Sequence, residues 1–286
     1  MAVPSHNLRF PEVQSTAVIF ASPHSGRYYH DDFLNRSVLD KHTLRSSEDA
    51  FVDDLVSQVT KFGAPFLKAV MPRAYVDLNR GPDELDPVLI SGIVNRSKNN
   101  RISSGLGVIP RVVGHGKEIY KGKISQAEAE IRILNYWRPY HLALKKLMTE
   151  THRKFGTAIL IDCHSMPTLL NYSRSIELQN MPDIILGDQF GASAEKGIVD
   201  KIESIFVREG FNVGRNIPFS GAFITKEYGF PPSNRHALQV EIRRSLYMEE
   251  DTLCLNKNFH YFKDVFGYIL GQIAKIGEIS KPIAGE

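Results

Sequence analysis

The sequence has little of several features that would place a protein outside the ordinary globular classes. It has 286 residues but two cysteines, Cys163 and Cys254, so no disulfide framework holds it together and a reducing compartment suits it. Its longest apolar runs, at 16–21 and 157–161, are far shorter than the roughly 20 residues of a membrane-spanning helix. The chain does not begin with a basic segment followed by an apolar run. We therefore expect no signal peptide and a cytoplasmic location.

The sequence also lacks a large excess of charge of either sign. Its 35 Lys and Arg against 32 Asp and Glu give a net charge of +3, too small to indicate a nucleic-acid surface. Hydrophobic residues make up 42% and charged residues 23%, which excludes wholesale disorder. We expect a soluble protein with neither nucleic acid nor membrane as a partner. The oligomeric state stays open, a homo-oligomer included.

Short apolar strands alternate with amphipathic helices along the chain. Strands are predicted at 16–21, 64–78 (broken by Pro72), 158–162, 183–186 and 236–243, and helices at 51–62, 125–155, 193–208 and 258–276. Pro139 should kink or split the longest helix. The alternation predicts one α/β domain over residues 1–286 with a mixed, largely parallel sheet. A loop-rich insertion interrupts it around residues 81–123.

Polar side chains follow the predicted strands where each strand ends. His24 follows the strand at 16–21, and His164 follows the strand at 158–162. Ligands of such sheets bind beyond the carboxyl ends of the strands. Two histidines with a carboxylate form the ligand set of a catalytic zinc site, which leaves one position open for water, although other divalent ions also fit. We expect His24 and His164 to bind Zn²⁺.

Four residues near these histidines have competing interpretations. Asp162 lies two residues before His164, on the same face of the strand, and can orient that histidine from outside the ligand set. Cys163 suggests a Cys–His nucleophile pair, but strand alternation points the two side chains to opposite faces, and a small buried thiol is the better interpretation. A serine hydrolase built on Ser22 or Ser25 is disfavoured, because no G-x-S-x-G elbow surrounds either.

The acidic ligand and the general base are less well defined. Glu48 and Asp49 lie at the predicted start of a helix, where the helix dipole alone commonly explains acidic residues. Both remain candidates because the site lacks an acidic ligand. Glu241 lies on the strand at 236–243 beside two arginines. Such a residue is usually an ion-pair partner, but opposite a metal-activated water it becomes a general base.

An anion receptor is indicated after the strand at 64–78. Arg73, Asn79 and Arg80 lie in this part of the chain, and the planar fork of arginine matches a carboxylate. The same residues are equally compatible with a solvated turn held by an Asp–Arg pair. With the candidate metal site beside them, they favour a small anionic substrate.

Six blocks stand in order between Ile19 and Met248: SPHSGR, SEDAFVDDL, RAYVDLNR, DCHSMP, NIPFSGAFITKEYG and HALQVEIRRSLYM. Together they resemble the N-formylglutamate amidohydrolase family. That family is distantly similar to zinc carboxypeptidases and to the aspartoacylase and succinylglutamate desuccinylase group. The resemblance implies a three-layer α/β/α sandwich of the phosphorylase/hydrolase-like, zinc-exopeptidase-like type.

The resemblance also implies an activity: zinc-dependent hydrolysis of the formyl amide of N-formyl-L-glutamate, giving formate and L-glutamate, as in histidine degradation. His24 of the PHSG block matches the first zinc ligand, and His164 of the DCHS block matches the last. Glu241 matches the glutamate that activates water. Asn79 and Arg80 match the pair that holds a substrate carboxylate in the wider superfamily.

One position departs from the pattern of the carboxypeptidase-like relatives, which have a glutamate three residues after the first histidine, where this chain has Arg27. The middle ligand must then come from elsewhere, and the SEDAF block is the natural source. We prefer Glu48 over Asp49. In this scheme Glu241 transfers the proton, and Arg73 helps to stabilise the oxyanion.

Two alternatives remain. One is a zinc hydrolase that acts on another N-acyl amino acid. The other is a non-catalytic anion-binding module, although a mere binder has no need of a general base.

Overall fold

A mixed sheet forms the centre of the molecule. The computed structural model describes residues 3–93, 100–168 and 181–278, so residues 94–99 of the predicted insertion lie outside the described residues. The strands of the sheet are β1 (His6–Arg9), β2 (Val18–Ser22), β3 (Phe66–Ala69), β4 (Ala158–Met166), β5 (Ile184–Gly187), β6 (Val213–Arg215) and β7 (Arg235–Arg243). Their order is β1-β3-β2-β4-β7-β5-β6. A separate antiparallel pair joins β8 (Met248–Glu249) to β9 (Cys254–Leu255).

The four strands in the middle of the order, β3, β2, β4 and β7, run parallel to one another. β1 lies antiparallel to β3, and β5 lies antiparallel to β7 but parallel to β6. The prediction of a mixed, largely parallel sheet is therefore confirmed. Parallel neighbours bring the carboxyl ends of β2, β4 and β7 to one edge, where polar side chains can converge.

Helices cover both faces of the sheet. They are α1 (Asp31–Arg36), α2 (Lys41–Arg45), α3 (Val52–Val56), α4 (Asn100–Ser103), α5 (Gln126–Arg132), α6 (Arg138–Phe155), α7 (Lys196–Arg208), α8 (Phe223–Tyr228) and α9 (Phe259–Ile276). Helices α3, α7 and α9 enclose one apolar core, and α5, α6 and α8 enclose the other. The three-layer α/β/α arrangement follows. None of the helices in the described ranges is both long and apolar enough to cross a bilayer.

Alternation along β4 assigns its side chains to the two cores. Ile161 and Cys163 pack in the core beneath α3 and α9, whereas Leu160 packs in the other core. Cys163 is fully buried, and burial raises the pKa of its thiol well above the usual value. It points away from His164, as strand alternation predicts, so no Cys–His nucleophile pair forms.

Two predicted elements are shorter than expected. The helix predicted at 51–62 consists of α3 followed by a separate 3-10 turn, Val59–Phe62. Phe51 adopts a left-handed backbone (φ 65°), so α3 begins one residue later than predicted. The strand predicted at 64–78 ends at Ala69. Beyond it the amides of Tyr75 and Val76 bond to the carbonyl of Pro72, and this turn takes the chain away from the sheet.

The longest helical stretch is split, as Pro139 predicts. A π turn, Ile133–Trp137, joins α5 to α6, and Pro139 lies in the first turn of α6. Proline has no N–H to donate and its ring crowds the carbonyl four residues earlier, so the regular hydrogen-bond ladder fails at this point.

Candidate active site and metal centre

Most of the predicted site residues meet in a cavity of about 490 Å³ at the carboxyl edge of the sheet. His24 comes from the loop after β2, and His164 and Glu241 come from the ends of β4 and β7. The irregular segment after β3 supplies the basic side chains. The predicted site residues that line the cavity are His24, Arg73, Asn79, Arg80, His164 and Glu241. Part of the predicted insertion, Pro110 and residues 112–116, also lines the cavity.

The loop that carries His24 is held against the segment after β3 by a glycine. A Cβ atom placed on Gly26 would lie 2.0 Å from the carbonyl oxygen of Met71, so no larger residue fits. The glycine of the PHSG block therefore permits the close approach that brings His24 toward residues 73–80.

Two histidines and Asp49 form the centre of the site. The rings of His24 and His164 lie 4.7 Å apart, centroid to centroid. Asp49 Oδ2 is 2.9 Å from Nδ1 of His164 and 3.4 Å from Nδ1 of His24. One ligand atom from each of the three residues lies within 4.8 Å of the others. Nδ1 of His24 is buried and has no hydrogen-bond partner among the described residues, as expected for an atom that faces a metal ion.

The far side of each imidazole contacts another carboxylate. His24 Nε2 lies 2.8 Å from Asp77 Oδ1, and His164 Nε2 lies 2.9 Å from Asp162 Oδ2. An Nε2–H bonded to a carboxylate leaves Nδ1 as the lone-pair donor and fixes the ring orientation, which is the usual arrangement around metal-ligating histidines. Both Nδ1 lone pairs then point toward Asp49.

Glu48 is not part of this group, contrary to our preference from the sequence. Its carboxylate accepts hydrogen bonds from Tyr29 Oη (2.6 Å) and from Arg45 Nε (3.1 and 3.2 Å). The carboxylate beside the histidines belongs to Asp49, the alternative left open by the sequence. The reason is the backbone between α2 and α3: the amide of Glu48 bonds to the carbonyl of Arg45 at the end of α2, whereas the amide of Asp49 bonds to the carbonyl of His24.

Two donors hold the second oxygen of Asp49. Ser165 Oγ donates to Asp49 Oδ1 at 3.2 Å, and Arg244 Nη2 lies 3.4 Å from the same oxygen. Arg244 also donates to the carbonyl of Glu48 at 2.7 Å. These contacts fix the carboxylate so that Oδ2 faces both histidines.

The electrostatics of the cluster favour a positive charge at its centre. Burial raises the pKa of Asp49, but the neighbouring imidazoles of His164 and His24 outweigh it and hold that pKa well below its usual value. Burial lowers the pKa of His164, but Asp162 and Asp49 outweigh it and raise that pKa well above its usual value. Three buried carboxylates around two imidazoles thus call for a cation. With the unpartnered Nδ1 of His24, these residues fit a divalent metal ion.

Glu241 lies on β7 in register with His164 of β4 and lines the same cavity. Gln239 Nε2 donates to its Oε1 at 2.8 Å. Burial is the main cause that raises the pKa of Glu241 to about 7, while His164 opposes this and Asp49 reinforces it. A carboxylate with such a pKa can both accept and return a proton near neutral pH.

The segment after β3 presents its basic residues to the cavity. Arg73 Nε donates to Asp77 Oδ2 at 2.9 Å. Arg80 is buried, and its Nε and Nη1 bond to the carbonyls of Leu106 and Asn79. The side chain of Asn79 accepts a hydrogen bond from the amide of Ile224 on α8 at 2.8 Å. The predicted anion receptor is thus an ordered part of the cavity wall.

Two contributors were not assigned a role from the sequence. The Asp–Arg pair of the segment after β3 is Asp77 with Arg73, and Asp77 also bonds to His24. Arg244, which holds Asp49, was missed. Its position one residue beyond β7 was the available signal, because residues at that end of a central strand border the cavity.

The fold and the site together define a class: an α/β/α hydrolase scaffold with a buried His–carboxylate centre and an adjacent glutamate. The sequence model of the N-formylglutamate amidohydrolase family matches residues 16–248, and the chain belongs to that family.

Similar proteins agree with this assignment. N-formylglutamate deformylases of Pseudomonas putida and Pseudomonas aeruginosa are 29% and 28% identical to this chain over 236 residues, which is 82% of this chain and of each relative. The crystal structure of an N-formylglutamate amidohydrolase from Ralstonia eutropha JMP134 matches with a TM-score of 0.88 and 32% identity. That match covers 96% of this chain and 99% of the Ralstonia chain.

Proposed function

We propose that this protein is a metal-dependent amidohydrolase that converts N-formyl-L-glutamate and water to formate and L-glutamate, a step of histidine degradation. The observation that carries the proposal is one cavity that holds both the His24–Asp49–His164 group and a buried Glu241. The names of the Pseudomonas relatives support the substrate.

The metal would be held by His24 Nδ1, His164 Nδ1 and Asp49. Zinc is the first candidate for two histidines and one carboxylate, although other divalent ions also accept this set. When bound, such an ion supplies Lewis acidity that polarises a carbonyl oxygen and lowers the pKa of water toward about 7. Asp77 and Asp162 keep the histidines in the tautomer that the metal requires.

Glu241 moves the proton in this scheme. It accepts a proton from the attacking water while the water oxygen bonds to the formyl carbon. The bond between that carbon and the glutamate nitrogen then breaks, and Glu241 returns the proton to the leaving nitrogen. Gln239 holds one carboxylate oxygen of Glu241 in place. Arg73, on the cavity wall, stabilises the negative charge that develops on the formyl oxygen.

Asn79 and Arg80 bind a carboxylate of the glutamate half. The guanidinium of Arg80 lines the cavity, and two carbonyls hold it in a defined orientation. Other arginines on the wall, Arg73, Arg101 and Arg244, add positive charge. Such a cavity favours a substrate with more than one negative charge.

The test is formate release from N-formyl-L-glutamate by protein of measured metal content, before and after chelation and after metal is restored. N-acetyl- and N-succinyl-L-glutamate are assayed in parallel. We expect formate release that disappears with the metal and returns with it. Turnover confined to another acyl group would keep the site but replace the substrate. Absence of turnover on fully metallated protein would favour the anion-binding module.

A further inference from the structure

Helix α5, the π turn and helix α6 form one continuous helical run over residues 126–155. This run faces residues 75–80, the segment that carries Asn79 and Arg80. Three of its side chains donate hydrogen bonds to backbone carbonyls of residues 75–80. Arg132 Nη1 bonds to Tyr75 O at 3.2 Å, Trp137 Nε1 bonds to Arg80 O at 2.9 Å, and His141 Nε2 bonds to Leu78 O at 2.9 Å.

The π turn explains how one run places three donors on one face. Residues four apart, such as Trp137 and His141, share a face of an α-helix. Arg132 and Trp137 are five apart and would diverge in a regular α-helix. The π turn between them uses i to i+5 hydrogen bonds and brings residues five apart closer into line.

These bonds fall on either side of Asn79. The carbonyl of Leu78, on one side, accepts from His141, and the carbonyl of Arg80, on the other side, accepts from Trp137. The two rings are 4.0 Å apart, and Phe223 of α8 packs against both. Because α8 also donates its Ile224 amide to Asn79, the backbone and the side chain of this residue are held by the same packed group.

We propose that Trp137 and His141 are positioning residues that set Asn79 and Arg80 in the orientation needed to bind the substrate carboxylate. This inference rests on the proposed function, which assigns that role to Asn79 and Arg80. A typical hydrogen bond contributes about fivefold to an equilibrium constant, so loss of one donor should weaken substrate binding by about that factor. Asn79 Nδ2 lies 3.3 Å from His164 Nε2 and 3.4 Å from Gln239 Oε1, so this segment contacts the centre through the side chain of Asn79. Trp137 instead bonds to the carbonyl of Arg80, so removal of its donor should change KM more than kcat.

The kinetic test uses Trp137→Phe, which removes the N–H but keeps an aromatic ring. Tyr140→Phe is the matched control, since the hydroxyl of Tyr140 is buried on the same helix and has no hydrogen-bond partner within the described ranges. We expect Trp137→Phe to raise KM for N-formyl-L-glutamate about fivefold and to leave kcat within twofold, whereas Tyr140→Phe changes neither. His141→Gln, which keeps a donor, should lie closer to wild type than His141→Leu.

A double-mutant cycle with Arg80→Gln separates positioning from a general structural role. If Trp137 acts through Arg80, Trp137→Phe should change KM little once the guanidinium is absent. An equal increase of KM in both backgrounds would overturn the proposal. The proposal would also be overturned if kcat and metal content fell while KM rose.

Hydrogen–deuterium exchange tests the inference without a measurement of enzyme activity. Peptides that cover residues 75–81 should exchange faster in Trp137→Phe than in Tyr140→Phe, with no substrate present. Faster exchange in a protein that releases no formate would support the restraint and reject the proposed function. Equal exchange in the two variants would reject the restraint even if the enzyme is fully active.

Discussion

Replacing Asp49 or Glu48, one at a time, tests which acid completes the metal centre. The two residues are adjacent and similarly buried, 1% and 2% exposed, yet their carboxylates have different partners. Asp49→Asn removes the charge that lies 2.9 Å and 3.4 Å from the two Nδ1 atoms. Glu48→Gln removes a charge bonded to Tyr29 and Arg45. Each change keeps the shape of the side chain.

The expected magnitudes differ by at least an order of magnitude. Partners outside the ligand set typically change metal affinity by about 10- to 100-fold, so loss of a ligand should exceed about 100-fold. We therefore expect Asp49→Asn to weaken Zn²⁺ binding by more than about 100-fold. Glu48→Gln should weaken it by less than about tenfold and should instead lower the free energy of unfolding by about 1–3 kcal/mol, because buried donors lose a charged acceptor.

The assay is competition for Zn²⁺ with a chromophoric chelator, with metal content after dialysis as a second measurement. Circular dichroism confirms that both variants are folded, and urea unfolding gives their stability. Full metal content in Asp49→Asn together with metal loss in Glu48→Gln would refute the assignment.

Three other changes address catalysis, binding and acid stability. Glu241→Gln should keep its metal but lower kcat by about 100-fold or more, since an amide cannot accept the proton; undiminished turnover would remove Glu241 from this role. Arg80→Ala should mainly raise KM for N-formyl-L-glutamate, and an unchanged KM would remove Arg80 from substrate binding. Burial lowers the pKa of His141 to about 4, below the value near 6.5 expected in the unfolded chain. Unfolding therefore takes up a proton when the pH lies between these two values, and the free energy of unfolding falls as the pH drops below about 6.5. Wild type should lose about 2 kcal/mol more than His141→Gln between pH 7.5 and pH 5 in urea unfolding, whereas equal losses would contradict this reasoning.

The sequence predicts the site residues that lie at the ends of strands. His24, His164 and Glu241 each follow or end an apolar strand, and parallel pairing of β2, β4 and β7 then brings them to one edge of the sheet. Residue types and strand alternation are enough for this inference, because both are local properties of the chain.

The choice between Glu48 and Asp49 depends on contacts with distant parts of the chain. A regular helix predicted from residue 51 places both acids near its first turn, where either can face the cavity. Phe51 instead adopts φ 65°, a conformation that an aromatic residue rarely takes and that the pattern of apolar residues does not signal. The amide of Asp49 bonds to the carbonyl of His24, and Ser165 and Arg244 hold its carboxylate. These contacts join distant positions, so the sequence alone could not separate two neighbouring acids.

The residues behind Asn79 and Arg80 were missed for a different reason. Trp137 and His141 lie about 60 positions further along the chain, and their spacing is typical of an ordinary amphipathic helix. Only the crossing of that helix over residues 75–80 shows that their ring N–H groups bond to backbone carbonyls. A side chain that bonds to a backbone carbonyl requires no particular residue type at the position it contacts. No sequence pattern could therefore reveal this contact.

Two functional side chains of the site are oriented by residues two positions away on the same strand. Alternation puts residues i and i+2 on one face, so a functional side chain at a strand end can contact an orienting group on the same strand. Such pairs are Asp162 with His164 on β4, and Gln239 with Glu241 on β7. His24 lies in a loop beyond β2 and has no such neighbour, so its carboxylate partner, Asp77, comes from the segment after β3. The close approach at Gly26 makes this possible, which explains why the first histidine needs a glycine two residues later whereas the second does not.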